Sequence, residues 1–483
     1  MKQRFVRISK YTSFIPFILI SALTFLIYEQ TYAPNGIIFS GNNFLGFVFL
    51  VVANLTLIIS TIYVQRFDVK QTKIRMFLIY ALLIILALGV LNLIIMPMDQ
   101  TINVTKNSGV IVQMILNVSQ GDKFRSLMLL FTSVSFVYLM AVILPRKESF
   151  RGFVLLISYS IIIYGLGIAI YSFITEFGTY IDLIKIGYAN ANLPVPTGPY
   201  DNRNTFASFL LTAIMFSTFL YFFYKTRKRR YIYIVLTVPM LVAIYFTFSK
   251  TNMILAFVVF ILVFLRHLFL LLKRQKKAFF IELSIFLVLI ALFFSFRFAP
   301  FLSTTRIARA LTNLFPLNLV DIGESTMKAR FELWRLAYDL IISRPRTFIF
   351  GDGIFINRIF YNQRIVLENP GWSTTGYGNY HNGFIEIFHA FGLIGFTIYI
   401  AILLGFLVKI IGFMKKMPAP GYFLFLSLIV FLSRSNVESI MLLAFKTESI
   451  LASFALLLPY FYFSSLRQEK KSRTAELIRN VSR

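Results

Sequence analysis

Residues 384–408 read FIEIFHAFGLIGFTIYIAILLGFLV, and this stretch decides the class of fold. It exceeds the roughly 20 apolar residues that span a hydrocarbon core about 30 Å thick. Its polar groups with acid–base chemistry are Glu386 and His389. Three lysines follow it, whereas His381 and Asn382 precede it. The stretch therefore predicts a membrane-spanning helix with one basic end and one end that could carry chemistry.

The whole chain has the composition of a membrane protein. Of its 483 residues, 58% are hydrophobic and 14% are charged, against about 45–50% and about 25% in soluble domains. We therefore expect an all-α polytopic membrane protein of about twelve transmembrane helices. Apolar runs predict these helices at residues 13–28, 44–63, 76–96, 126–144, 152–174, 206–224, 231–248, 252–272, 279–298, 384–408, 421–437 and 446–464.

The basic residues predict the orientation of these helices. The net charge is +28, and most of the 48 lysines and arginines fall at alternate helix ends. The positive-inside rule then places both termini in the cytoplasm. The charge is a topological signal with the lipid bilayer as its partner, so no nucleic acid is expected.

This topology divides the chain into membrane and non-membrane parts. They are helices 1–9 with short cytoplasmic loops in 1–298, a large extracytoplasmic loop in 299–380, helices 10–12 in 381–465, and a basic cytoplasmic tail in 466–483. In the large loop, Phe331, Trp334, Ala337 and Ile341 stand at helical spacing. They predict an amphipathic helix, so the loop should be partly helical.

His381 is the candidate general base. An imidazole titrates near pH 6.5 and can accept a proton at neutral pH. Asn382 beside it could orient the ring or a bound hydroxyl, or both residues could simply cap the helix. Glu386 is a further candidate, because an ionisable group entering a membrane helix is costly and tends to be functional. His389 and His267 are predicted to be structural or interfacial.

Three cations are predicted to face outward from separate loops: Arg330, Lys250 and Arg203. The positive-inside rule gives no reason for outward cations. A bound diphosphate is one reason, since charge-assisted contacts to phosphate favour arginine. The alternative for each is an ordinary contact with solvent or lipid headgroups.

Together these features resemble the bacterial O-antigen ligase and polysaccharide polymerase superfamily, the Wzy/WaaL-like integral membrane proteins. Its ligases carry His followed by Asn, Ser or Gln, then nine residues and Gly-x-x-Gly, and here His381-Asn382 is followed at that spacing by Gly392 and Gly395. An Arg-x-x-x-Trp pattern is matched by Arg330 and Trp334.

A second family pattern, Gly-x-x-x-Asn-x-Asn-x-x-Ala, is matched by Gly198, Asn202, Asn204 and Ala207. Two positions depart from the family. Lys250 stands where many members have arginine, and Arg203 where proline is usual.

The resemblance implies a GT-C-like, metal-independent inverting glycosyltransferase that needs no cofactor. Its implied partners are an undecaprenyl diphosphate-linked glycan donor and acceptor at the outer face of a bacterial plasma membrane, with a chain-length regulator protein as a further candidate. His381 would be catalytic, and Arg330, Lys250 and Arg203 would bind the diphosphate. The supporting residues would be Asn382, Glu386, Trp334 and Asn204.

Three functions remain open from the sequence. Polymerisation of lipid-linked repeat units for capsule, exopolysaccharide or O-antigen is preferred. Ligation of the glycan to lipid A core or protein is the alternative within the superfamily. A lipid-linked oligosaccharide flippase or other transporter is a third, but transporters place polar residues near the bilayer midplane rather than at one outer end.

Overall fold

The computed structural model describes residues 73–106, 108–146, 150–186, 194–200, 202–224, 226–298, 319–368, 380–443 and 447–481. The predicted segments 13–28 and 44–63 lie outside these residues. The chain forms two compact units. The first unit contains the described residues of Met1–Val154 and Lys328–Arg483, and the second contains those of Leu155–Met327.

Helices account for most of the described residues. In chain order they are α1 Lys73–Ile95, α2 Gln120–Tyr138, α3 Phe150–Thr175, α4 Phe177–Ile186, α5 Arg203–Phe223, α6 Arg227–Thr247, α7 Lys250–Arg274, α8 Lys276–Phe298, α9 Leu319–Ile342, α10 Pro345–Phe350, α11 Ile356–Glu368, α12 Gly383–Lys416, α13 Pro418–Val437 and α14 Thr447–Val481. Two strands lie between α1 and α2, namely β1 Asp99–Thr105 and β2 Ile111–Asn117.

Membrane-spanning helices were the central prediction. Within the described residues, nine helices contain a stretch long and apolar enough to cross a membrane. They coincide with the predicted third to eighth and tenth to twelfth segments, and the ninth segment is also helical, as α8. A polytopic helical membrane protein is thus confirmed. The total of twelve spans and the GT-C-like arrangement stay predictions.

The prediction of an all-α fold is wrong between α1 and α2. There β1 and β2 pair as an antiparallel hairpin. Burial alternates along both strands: Val104, Met114 and Leu116 are buried while their strand neighbours are exposed. The buried side packs on Ile356 and Phe360 of α11. A two-stranded hairpin is marginal alone in water, and this packing supplies its missing apolar partner.

The amphipathic helix predicted in the large loop is confirmed as α9, but the residues on its buried face differ in part from those predicted. The buried positions are Leu333, Leu336, Ala337, Leu340 and Ile341. Four of these pack against Tyr361, Ile365 and Tyr380. Phe331, which was assigned to the apolar face, is 58% exposed. The leucines define the buried face because they, not Phe331, meet the tyrosines.

Two glycines allow α10 to lie directly against α12. Gly392 interrupts α12 with φ 63 and ψ −168, and Gly351 ends α10 with φ 81. The break frees two carbonyls of α12, so the Asp352 amide donates to the His389 carbonyl at 2.9 Å. The Gly353 amide donates likewise to the Ala390 carbonyl at 2.8 Å. Gly392, the first glycine of the Gly-x-x-Gly pattern, therefore shapes the backbone of α12.

In the first unit, the hairpin and α11 lie at the beginning of α12. Arg364 of α11 donates to the Thr105 carbonyl of β1 at 2.9 Å, which ties the hairpin to α11. Arg358 of α11 pairs with Glu386 in the first turn of α12. Thus the hairpin, α11 and the beginning of α12 form one assembly, and His381 lies within it.

Candidate functional site

His381 occupies a sharp turn immediately before α12. Its backbone adopts φ 49, in the left-handed region that non-glycine residues rarely enter. Such conformations cost free energy and concentrate at functional sites. The side chain is 21% exposed. Its hydrogen-bond contact within the part of the chain that the structure describes is at Nδ1 of the imidazole.

Asn382 fixes this turn. Its side-chain oxygen accepts hydrogen bonds from the amides of Phe384 at 2.9 Å and Ile385 at 3.1 Å, which makes it the N-cap of α12. Its side-chain nitrogen donates to the Asn436 carbonyl at 3.2 Å. Both ends of the amide are therefore engaged by backbone. Of the two sequence interpretations for Asn382, this geometry favours the cap.

Glu438 connects His381 to Arg330. It follows α13, and one carboxylate oxygen lies 3.3 Å from Nδ1 of His381. The other lies 3.3 Å from Nη2 of Arg330 in α9. The side chains of Arg330 and Glu438 are only 15% and 13% exposed, so bulk water screens this group weakly. The structure thus brings together two sequence-predicted site residues that are far apart in the chain, through a third that the sequence analysis missed.

Trp334 supports the same turn from α9. It stands one turn after Arg330, and its indole nitrogen donates to the Tyr380 carbonyl at 2.9 Å. The carbonyl belongs to the residue that precedes His381. The Arg-x-x-x-Trp spacing therefore directs one side chain to Glu438 and the other to the backbone of the histidine turn.

Glu386 is buried and engaged. Its carboxylate forms an ion pair with Arg358 of α11, and Asn357 donates to its backbone carbonyl at 3.4 Å. A buried charge is tolerated when it is paired in this way. The arrangement indicates that Glu386 joins α11 to α12, so a direct part in chemistry stays a prediction.

A buried network lies beneath the histidine turn. His389 is fully buried; its Nε2 lies 2.9 Å from Asp352 and its Nδ1 lies 2.7 Å from the Tyr380 hydroxyl. Asp352 also accepts from Arg344 at 2.6 Å and Thr347 at 2.7 Å. His389 thus has a structural place, while Asp352 and Arg344 were not predicted.

The pKa values of two groups in this network, Asp352 and Tyr380, are strongly shifted. Burial acts to raise the pKa of Asp352, but the Arg344 guanidinium and the hydrogen bond from His389 hold that pKa well below its usual range. Burial, with the negative charge of Glu386 beside it, raises the pKa of Tyr380 well above its usual value. Asp352 is therefore ionised and Tyr380 neutral at physiological pH.

In the second unit, Arg203 and Lys250 begin adjacent helices. Asn202 caps α5 by accepting from the Asn204 amide at 2.7 Å. The Asn204 side chain in turn accepts from the Ser249 hydroxyl at 2.8 Å, one residue before α7 begins. This bond connects the starts of α5 and α7, so Asn204 supports the position of both cations.

The two cations lack compensation within the described residues. The Arg203 charge acts unfavourably on Lys250. The Nζ atom of Lys250 is buried and has no hydrogen-bond partner among the residues described. The beginnings of α5 and α7 thus carry two positively charged side chains, and cations of this kind can bind an anion.

His267 is also accounted for in the second unit. Its Nε2 lies 3.2 Å from a carboxylate oxygen of Glu282, a contact that joins α7 to α8. His267 is nearly buried. This placement agrees with the structural interpretation.

The fold and site define an integral membrane protein with a histidine, a carboxylate and an arginine grouped beside its spans. Residues 235–400 match the family model described as O-antigen ligase. This match confirms the resemblance to the O-antigen ligase and polysaccharide polymerase superfamily, a superfamily of glycan enzymes. The matched stretch contains Lys250, Arg330 and His381, whereas Arg203 and Glu438 lie outside it. Comparison with curated proteins gave no match.

Proposed function

We propose that the protein polymerises lipid diphosphate-linked oligosaccharide repeat units at the outer face of a bacterial plasma membrane. The observation that carries this proposal is the meeting of His381 and Arg330 at Glu438. This cluster of side chains places a base, His381, and a cation suited to diphosphate, Arg330, around one carboxylate, and all three are largely shielded from water. A positioned base and a cation at the leaving diphosphate both accelerate glycosyl transfer from a diphosphate donor.

The proposed step is a single displacement. A sugar hydroxyl of the acceptor attacks the anomeric carbon of the donor, and its proton passes to Nε2 of His381. The bond between the anomeric carbon and the diphosphate oxygen breaks, and the diphosphate leaves with the electron pair. General base catalysis of this kind typically contributes 10²–10⁴-fold. The stereochemistry at the anomeric carbon inverts.

Cations stabilise the leaving diphosphate, whose charge grows in the transition state. In the first unit this role falls to Arg330. In the second unit, Lys250 and Arg203 are proposed phosphate ligands, because they begin α7 and α5 and the bond from Ser249 to Asn204 joins these two helix starts. No metal is required for this step, since the guanidinium and ammonium groups supply the positive charge.

The test uses purified protein in detergent, supplied with a lipid diphosphate-linked repeat unit. Lengthening of the glycan without a sealed bilayer is the expected result, because transfer needs no second compartment. Activity that exists only across vesicles would instead support a flippase. His381→Ala should abolish the product while membrane abundance and melting temperature stay near those of the wild type.

Arg330→Ala tests the cation and has a matched control on the same helix. Arg335 is 40% exposed and pairs with Glu332 and Asp339, outside the histidine turn. Arg330→Ala should raise the donor KM and lower kcat, whereas Arg335→Ala should leave both near the wild-type values. Equal effects of the two substitutions would contradict the assigned role of Arg330.

Ligation is the second candidate, favoured by the description of the matching family model. The two functions differ in the acceptor. A polymerase elongates one lipid-linked glycan with another, so its products form a ladder of repeat lengths on lipid diphosphate. A ligase given lipid A core or an acceptor protein moves the glycan onto that acceptor. Without such an acceptor, a ligase makes no ladder of repeat lengths.

A further inference from the structure

Glu438 is held opposite His381 by backbone contacts. The Asn382 side chain donates to the Asn436 carbonyl at 3.2 Å. A Cβ atom on Gly383 would lie 2.2 Å from the Ile440 carbonyl oxygen, so the two backbones touch there. These contacts flank Glu438 on both sides. Its position therefore follows from the packing of the chain, not from a chance meeting of long side chains.

The segment that carries Glu438 is itself constrained. The Glu438 amide donates to the Arg434 carbonyl at 2.8 Å, and the Ile440 amide donates to the Glu438 carbonyl at 2.7 Å. The side chain then divides its two oxygens between Nδ1 of His381 and Nη2 of Arg330. One carboxylate is thus positioned to act on both groups that the proposed reaction uses.

A carboxylate at Nδ1 has a defined effect on an imidazole. It accepts a hydrogen bond from the Nδ1–H group, which selects the tautomer whose Nε2 carries the free lone pair. When Nε2 receives a proton, the adjacent negative charge stabilises the imidazolium without becoming protonated itself. The ring is also held in one orientation.

We propose, resting on the proposed function, that Glu438 is the positioning residue of His381. It fixes the tautomer and orientation of the imidazole, and it restrains Arg330 beside the same site until the diphosphate binds. Glu438 lies outside the stretch that matches the family model. The proposal therefore rests on the contacts of this structure.

A purely structural role for Glu438 predicts a different kinetic pattern. If the carboxylate served only to neutralise Arg330, then Glu438→Gln would release the guanidinium for the diphosphate. The donor KM would fall and kcat would be unchanged. If Glu438 positions His381, kcat falls, because the lost interaction acts on the transition state. We expect a decrease in kcat of about 100-fold, within the range of a general base.

The experiment measures kcat and donor KM in detergent with the lipid diphosphate-linked repeat unit as substrate. The variants are Glu438→Gln, Glu438→Asp, His381→Ala and the double variant His381→Ala/Glu438→Gln. Glu332→Gln is the matched control, since Glu332 is on α9 and forms an exposed pair with Arg335. Glutamine keeps the volume of glutamate, and aspartate keeps its charge, so their comparison isolates the carboxylate.

The proposal expects Glu438→Asp to retain more kcat than Glu438→Gln, and the double variant to be no slower than His381→Ala alone. A wild-type kcat for Glu438→Gln, with His381→Ala inactive, would overturn the role of Glu438 and leave the proposed function intact. Equal activity of His381→Ala and wild type would instead remove the proposed base itself.

Discussion

Gly392→Ala should damage the first unit in a way that the structure allows to be calculated. A Cβ atom at Gly392 would lie 2.3 Å from the Ile349 carbonyl oxygen and 2.4 Å from the Phe350 nitrogen. Both are backbone atoms, so neither can rotate away. The φ of 63 with ψ −168 is also a conformation that is essentially limited to glycine.

The magnitude follows from these two terms. The backbone conformation alone costs about 1–3 kcal/mol for a residue with a side chain. Overpacking against fixed atoms costs about 1–3 kcal/mol more. A total near 3 kcal/mol corresponds to a fall of about 5 °C in melting temperature, since an unfolding entropy of about 2.1 cal/mol/K per residue gives roughly 1.5 °C per kcal/mol for a unit of 310 residues.

The assay is thermal unfolding of detergent-purified protein, with glycan transfer measured in parallel. Gly412→Ala is the matched control, because Gly412 is on the same helix and a Cβ atom there meets nothing within 4 Å. Gly392→Ala should also lower transfer, since α10 and the Asp352 network are displaced from the histidine turn. Equal melting temperatures for the two variants would refute the assigned role of Gly392.

Three further predictions concern charged groups. Asp352→Asn should cost about 3–5 kcal/mol of stability, because Arg344 and Arg346 would be left beside a neutral group. Thermal unfolding measures this loss. The control is Asp339→Asn at an exposed position, which should change stability by less than about 0.5 kcal/mol. The pKa of Asp352 is lowered in the folded state, so its stabilisation is complete above about pH 4 and is lost as pH falls through the folded pKa. Acid titration of the melting temperature should therefore show a shallower loss below pH 4 for Asp352→Asn than for the wild type, and parallel curves would contradict this. Lys250→Gln should raise the donor KM about tenfold while Lys250→Arg retains affinity, and Lys273→Gln, at the far end of α7, should leave KM unchanged.

The membrane architecture was predictable because it depends on local composition. The apolar run at 384–408 predicted the core of α12, which the structure extends to Gly383–Lys416. Its polar beginning was also visible, since an asparagine before an apolar helix is a common cap. The clustering of Arg330 and Trp334 one turn apart on α9 followed from helical spacing in the same way.

The features that were missed depend on contacts between distant parts of the chain. Glu438 meets His381 across 57 positions, and Asp352 meets His389 across 37. No local pattern marks such pairs. The interruption of α12 at Gly392 is likewise hidden, because glycine within an apolar run is common in membrane helices. By contrast, the alternation of β1 was present in the sequence and could have predicted a strand, whereas β2 is apolar at most positions and shows no such alternation.

The surroundings of Glu386 and His389 also depend on residues distant in the chain. In the sequence, Glu386 is an isolated acid at the start of a membrane helix, but its partner Arg358 is 28 positions away in α11. His389 is predicted to be structural or interfacial, and its contact with the Tyr380 hydroxyl, nine positions earlier, is not marked by any local pattern. For both residues, the partner in the folded structure indicates the role, and the sequence does not reveal that partner.

The most direct measurement is an experimental density map of the protein with a lipid diphosphate-linked sugar and an acceptor glycan bound. The account predicts the diphosphate at hydrogen-bond distance from the Arg330 guanidinium, and the attacking acceptor oxygen about 2.6–3.2 Å from Nε2 of His381. A diphosphate bound without contact to Arg330, or an acceptor hydroxyl that no imidazole nitrogen of His381 can reach, would contradict it.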